Sequence, residues 1–180
     1  MRTLVLYLHQ ITRKVKKMTD NKKVTTICFT GHRDIQKSIA FKIPTALKKI
    51  LREYIAKGAC RFRVGGALGF DTVAALCVLE LLPEYPHLEL ELVIPCPEQT
   101  RGWSDDCKRV YNYVMKEAKR VECVSNRYTN HCMHDRNRRL VDESQVCIAF
   151  LQKSTGGTAY TYSYALRQGL EVINLYDMIK

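Results

Sequence analysis

The chain has no apolar run long enough to cross a bilayer, which takes about 20 residues. Its most apolar stretch near the start, LVLYL at 4–8, is too short even for a signal-peptide core, and no small-residue cleavage site follows it. Both absences argue against secretion and for a cytoplasmic protein without a transmembrane segment. The eight cysteines are scattered at 28, 60, 77, 96, 107, 123, 132 and 147 without a CxxC, most of them inside apolar runs such as VTTICFT and SQVCIAF. They read as small buried hydrophobes in a reducing compartment. No internal repeat is present, and no GxGxxG: in GGALGFD the glycines stand at 65, 66 and 69. Negative charge is scarce, with 18 acidic against 29 basic side chains, for a net +11. Residues 1–23 carry +6 of that excess and the remainder +5. A modest surplus of this kind suits an anionic small ligand as well as it suits nucleic acid.

What is present is one domain's worth of chain, 180 residues with 46% hydrophobic content. Residues 1–20 form a basic N-terminal extension in which Leu4, Leu8, Ile11, Val15 and Met18 fall at helical spacing. Such a segment serves as a membrane-surface or partner-binding helix, or simply precedes the start at Met18; the plain extension is preferred. Residues 21–180 alternate short β-rich runs with amphipathic stretches, an α/β pattern with a largely parallel central sheet. Strands are expected at 24–30, CRFRVG, 88–95, RVECVS, QVCIAFL and finally EVINLY. Helices are expected at 39–57, stopped by Gly58, at TVAALCVLELL, closed by Pro83, at 103–118, at 132–143 and at AYTYSYALRQ.

Four loops follow strand ends: Thr30 to Asp34, Gly65 to Asp71, Pro95 to Trp103 and Ser154 to Thr158. In open parallel sheets, ligands bind at such ends, where strand order switches. In TGHRD, the Thr30 hydroxyl, the flexible Gly31, the His32 imidazole and the Arg33 guanidinium suit phosphate or ribose; solvation and capping are the plain alternative. Gly65 and Gly66 allow a tight turn. Asp71 either caps a helix beginning near Thr72 or reaches ribose hydroxyls. Gly156, Gly157 and Thr158 open a helix, where backbone amides and the helix dipole favour an anion. His131, Cys132 and His134 invite a metal reading, but no second ligand cluster accompanies them and no metal is assigned. Tyr160 and Tyr164 share one helix face, with Ala159, Tyr162, Ala165 and Leu166 on the more apolar one. A base stacked on Trp103 or Tyr160 ranks behind an ordinary packing role.

Taken together, FTGHRD, GGALGFDTVAA, VIPCPEQTRGW, CMHDRNRRLVDES and STGGTAYTYSYA resemble the YpsA-like branch of the SLOG superfamily over nearly all of 24–180. The resemblance implies a single Rossmann-like three-layer domain and a nucleotide-like ligand. The superfamily includes the LOG phosphoribohydrolases, the DNA-processing protein A family and sensor domains for nucleotide-derived signals. In the LOG group a Met-x-x-Arg-Lys helix and a Pro-Gly-Gly-x-Gly-Thr-x-x-Glu turn carry the site. Met133 with Arg136, and Gly156, Gly157 and Thr158, match those segments here. Arg136 takes the place of that group's catalytic arginine, Asn137 replaces its lysine, and Thr161 stands where its catalytic glutamate should.

A threonine neither stabilises the positive charge that builds on ribose as an N-glycosidic bond breaks nor activates water as a carboxylate does. The preferred reading is therefore a protein that senses or sequesters a nucleotide or ADP-ribose-like ligand, with no cofactor. Phosphate falls to Gly156, Gly157 and Thr158 with Thr30, Gly31 and Arg33, and Arg136 and Asp71 go to phosphate or ribose. Two alternatives stand behind it. One is a phosphoribohydrolase-type hydrolase with a relocated carboxylate (Asp71, Glu98 or Asp135), and the other is single-stranded DNA binding. Family resemblance also implies a homo-oligomer, a dimer in the first instance.

Overall fold

The computed structural model describes residues 25–180. The basic extension expected over 1–20 lies outside them. Six strands form one sheet: β1 (Thr26–Gly31), β2 (Arg61–Val64), β3 (Glu89–Ile94), β4 (Arg120–Cys123), β5 (Val146–Phe150) and β6 (Glu171–Asn174). Their order is β4-β3-β2-β1-β5-β6, and every neighbouring pair is parallel. The chain steps outward from β1 to β4 and then crosses back to the other side of β1. The order thus reverses between β1 and β5, which opens a crevice at their C-terminal ends.

Seven helices complete the three layers among the described residues: α1 (Lys37–Ala40), α2 (Ile43–Ala56), α3 (Phe70–Leu81), α4 (Asp105–Glu117), α5 (Cys132–Asp142), α6 (Gly156–Arg167) and α7 (Leu175–Ile179). Strand alternation decides which layer each side chain joins. Ile27, Phe29, Phe62, Val64, Leu90, Leu92, Ile148 and Phe150 face α2, α3 and α7 and make the main core. The opposite face, toward α5 and α6, holds only a small apolar cluster around Cys28, Val93, Leu140, Val141, Cys147 and Ala165. Beside that cluster lie charged groups: Arg63 and Glu91 are both buried there.

Three departures from the sequence reading have local causes. The helix expected over 39–57 is broken, because Pro44 in the first turn of α2 has no N–H to offer the Ala40 carbonyl that ends α1. α3 starts at Phe70, so Asp71 lies inside its first turn instead of capping a helix that begins at Thr72. EVINLY is a strand only to Asn174, whose side-chain amide bonds both the N–H and the C=O of Leu151 at 3.0 and 3.1 Å; the chain then turns into α7.

Candidate functional site

Backbone contacts draw the loops together before any side chain is considered. Gly31 ends β1 under Phe70, where a Cβ would lie 2.4 Å from the Phe70 Cβ. The His32 N–H donates to the Phe150 carbonyl at 3.3 Å, and the Phe70 N–H donates to the His32 carbonyl at 3.1 Å. Gly69 adopts φ +77°, and a Cβ there would fall 2.2 Å from the Arg33 carbonyl oxygen. Only glycine permits this approach of the loop after β2 to the loop after β1.

These constraints shape a cavity of about 320 Å³ at the strand reversal. Thr30, Gly31, His32 and Arg33 line it from β1 and its loop, and Ala67 and Asp71 from the α3 entry. Met133, Arg136, Asn137 and Leu140 contribute from α5, and Gly157 and Thr158 from the start of α6. Eight of the residues expected from sequence are therefore brought into one space: Thr30, Gly31, His32, Arg33, Asp71, Arg136, Gly157 and Thr158. Gly65, Gly66 and Gly156 do not line it. Gly65 instead makes room for the arginine, since a Cβ would sit 1.3 Å from Arg136 Nη1. Gly66 and Gly156 supply turns at φ +63° and +87°.

Arg136 is the centre of the site. It is 6% exposed, its Nη1 donates to Asp71 Oδ2 at 3.3 Å, and its Nε is buried without a hydrogen-bond partner. Burial pushes the Asp71 carboxyl above the ordinary aspartate range, against the pull of Arg136 and of the Ala67 and Gly65 amides. Burial also lowers the Arg136 guanidinium, with Asp71 opposing; an arginine nonetheless stays protonated. With Arg33 lining the same cavity, cationic charge exceeds anionic. At the head of α6, Thr155 makes no side-chain cap, so the first amides of the helix are left for another acceptor.

His32 is held by a hydrogen bond to its Nε2 from the Lys153 N–H at 3.1 Å, which places its proton on Nδ1. Burial, and then the Lys153 charge, lower its pKa from 6.5. The unfolded chain consequently takes up this proton more readily than the folded one, and stability falls as pH drops below the unfolded value toward the lower folded one. Thermal unfolding between pH 7.5 and 5.5, roughly bracketing the ordinary histidine range, should show this loss in the wild type. In His32→Gln, whose Oε1 can still accept from Lys153, the loss should be smaller; an equal acid sensitivity would remove His32 as its source.

The α6 face differs from the sequence reading. Its buried residues are Thr158, Thr161 and Ala165, whereas Leu166 is 53% exposed. The Thr161 hydroxyl donates to the Gly157 carbonyl at 2.8 Å, one turn back, and does not line the cavity. Tyr160 and Tyr164 do share a face: their rings stack at 6.2 Å, His134 packs edge-on against Tyr160 and Arg138 lies over both rings. Among the described residues, no group of three or more His, Cys, Asp or Glu side chains could hold a metal ion. Nor is any described helix long and apolar enough to cross a membrane.

A second cavity, of about 470 Å³, adjoins the first, with Arg33 and Met133 lining both. The segment after β3 supplies Glu98, Gln99, Arg101 and Trp103 to it, and Tyr128 closes the set. The third of the four loops thus serves this second space and not the first. Gln99 had no signature in the sequence: a lone glutamine in a Pro-rich loop reads as solvated, yet it is 8% exposed.

The sequence is similar to the SPbeta prophage-derived protein YoqJ of Bacillus subtilis, at 29% identity over 137 residues, covering 69% of this chain and 80% of that one. It is also similar to a UPF0398 protein of Bacillus thuringiensis, at 26% identity, with 75% and 74% covered. The fold is similar to that of DNA processing protein A from Streptococcus pneumoniae, with TM-score 0.60 and 18% identity over 85% of this chain. This chain spans 50% of the pneumococcal protein's length. DNA processing protein A from Helicobacter pylori, described with a single-stranded DNA binding mode, gives TM-score 0.52 and 16% identity, with 88% of this chain and 80% of that one covered. The YspA SLOG family model matches residues 27–178, which runs from within β1 to within α7, and the chain belongs to that family.

Proposed function

We propose that this protein binds the phosphate and ribose of a nucleotide-like ligand in the cavity at the β1/β5 reversal, and holds the ligand without cleaving it. The observation that carries this reading is Arg136: a buried guanidinium with an unmade Nε hydrogen bond, in a cavity also lined by Gly157 and Thr158 of an uncapped helix start. A buried donor without a partner is costly, and an anion's oxygen relieves it. Thr30 and Arg33 complete the anion-binding set, and Asp71 meets ribose hydroxyls.

Holding rather than hydrolysis is supported by the carboxylate inventory. Among the described residues Asp71 is the one carboxylate lining this cavity, and it is engaged with Arg136. Its raised pKa is the observation that favours the hydrolytic reading, in which Asp71 would act as a general acid. Binding of single-stranded DNA is the other alternative: Arg138 lies over the Tyr160 and Tyr164 rings, which leaves Trp103 and Tyr128 as the cavity-lining aromatic side chains that could stack on bases.

The test incubates the purified protein separately with AMP, ADP-ribose, NAD and a cyclic nucleotide, desalts it, denatures it and identifies the released compounds by mass spectrometry. At least one ligand should be retained and recovered intact. Free base with ribose 5-phosphate, lost in Asp71→Asn, would replace holding with hydrolysis. Retention of none of the four would overturn nucleotide binding.

A further inference from the structure

The two cavities meet at Arg33 and Met133 and differ in chemistry. The first carries the buried Arg136–Asp71 pair and the helix-start groups; the second carries the aromatic ones beside Glu98 and Arg101, with Trp103 held edge-to-face against Tyr111 at 5.6 Å and Tyr128 61% exposed. Aromatic side chains beside an anion site are what a nucleobase attached to a bound phosphoribosyl group would need, because every base has a π-face to stack.

Gln99 supplies an independent observation. Its Nε2 donates to the Gly65 and Gly66 carbonyls at 3.3 and 2.6 Å. Two carbonyls fix which end of the amide is nitrogen, since neither could donate to an oxygen. The other end, Oε1, is left buried with no hydrogen-bond partner in a residue that lines the second cavity. An acceptor so placed calls for an N–H donor, which the amino and ring N–H groups of a nucleobase supply once the Gln99 side chain shifts to bring the covered oxygen to the cavity wall.

We infer that the second cavity is a nucleobase site, in which the base stacks against Trp103 and Tyr128 and donates an N–H to the Gln99 carbonyl. The inference rests on the nucleotide reading of the first cavity and adds to it where the base goes and which groups read it. Gly65 and Gly66 couple the two spaces: the same loop makes room for Arg136 on one side and fixes Gln99 on the other.

Trp103 is the chain's one tryptophan, so its emission reports on this cavity alone. AMP and ribose 5-phosphate should each be titrated into the full chain, with binding followed by calorimetry and by Trp103 fluorescence. Both should bind; AMP should quench the emission, and ribose 5-phosphate should leave it unchanged. Trp103→Leu should weaken AMP binding about tenfold, the loss expected for one base–aromatic stack. Ribose 5-phosphate affinity should stay within about twofold of wild type, which also shows that the variant is folded; the bound removes any loss on the scale of a stacked base. AMP that binds without quenching, or with an affinity Trp103→Leu does not change, would overturn the base site while leaving the phosphoribosyl site standing. Failure of both compounds to bind the wild type would overturn the two together.

Discussion

Arg136→Met should abolish AMP binding and also lower the melting temperature by about 10 °C. The second effect follows from what the substitution leaves behind. Asp71 would remain buried, its side chain 6% exposed, with the guanidinium that compensates it gone. Breaking a buried ion pair from one side costs about 3–5 kcal/mol, and in a domain of this size each kcal/mol corresponds to about 2–4 °C. Loss of binding in this variant alone would therefore be ambiguous between a missing contact and a disturbed fold. The double variant Arg136→Met, Asp71→Asn separates the two. The amide can still accept from the Ala67 N–H, which lies 3.4 Å from the carboxylate, and it carries no charge to strand. The double variant should regain most of the melting temperature and still fail to bind AMP in calorimetry. Recovery of binding together with stability would show that Arg136 acts through the fold and does not touch the ligand.

The same pair shows where sequence reading stops. The loops of the site were legible because short runs such as TGHRD, GGALGFD and STGGT stand between β-rich and helical segments, and a parallel sheet sends such loops to one end. Eight expected residues consequently share one cavity. That Arg136 would spend one of its donors on Asp71 was not legible. The two are 65 positions apart, and only the reversal of strand order, with α5 laid across the sheet, brings them together. The inward face of α6 was misread for a different reason. Hydrophobicity favoured Ala159, Tyr162, Ala165 and Leu166, but of these four only Ala165 is buried, and α6 is tied to α5 through its other tyrosines, by the 2.7 Å bonds of Tyr160 to Arg138 and of Tyr164 to Asp142. The compact, locally satisfied threonines are what pack against the sheet: Thr161 closes its hydroxyl on its own helix and so enters the interior without an unmade bond.

RFRV in β2 alternates basic and apolar residues, the pattern of a half-exposed strand, yet β2 lies in the middle of the sheet with Arg63 only 1% exposed. The signal that would have placed it is a complementary alternation. Arg63 pairs in register with Glu91 of β3, so that LELEL supplies an acid opposite the base on the same face. Arg63 Nε donates to Glu91 at 3.0 Å, Nη2 meets Glu122 and Glu143 at 3.0 and 3.1 Å, and Nη1 donates to the Arg139 carbonyl at 2.7 Å. The last two contacts tie the end of α5 to the sheet. Arg139 is one turn beyond Arg136, so a group that fixes this end of the helix also positions the site.

Arg63→Met should therefore lower the melting temperature by about as much as Arg136→Met, since it strands Glu91, whose side chain is 6% exposed, in the same way. Its effect on ligand should be of a different kind. No cavity-lining group is removed, so AMP binding should be weakened and not abolished, through a helix that is less well held. Adding Glu91→Leu removes the stranded charge and should restore stability, because a buried ion pair replaced by apolar side chains is often neutral or better. The binding deficit should persist in this second variant, because the bonds from Arg63 to the Arg139 carbonyl and to Glu143 are still missing. If stability and AMP affinity instead return together, the network serves the fold as a whole, and α5 needs no anchor of its own to present Arg136.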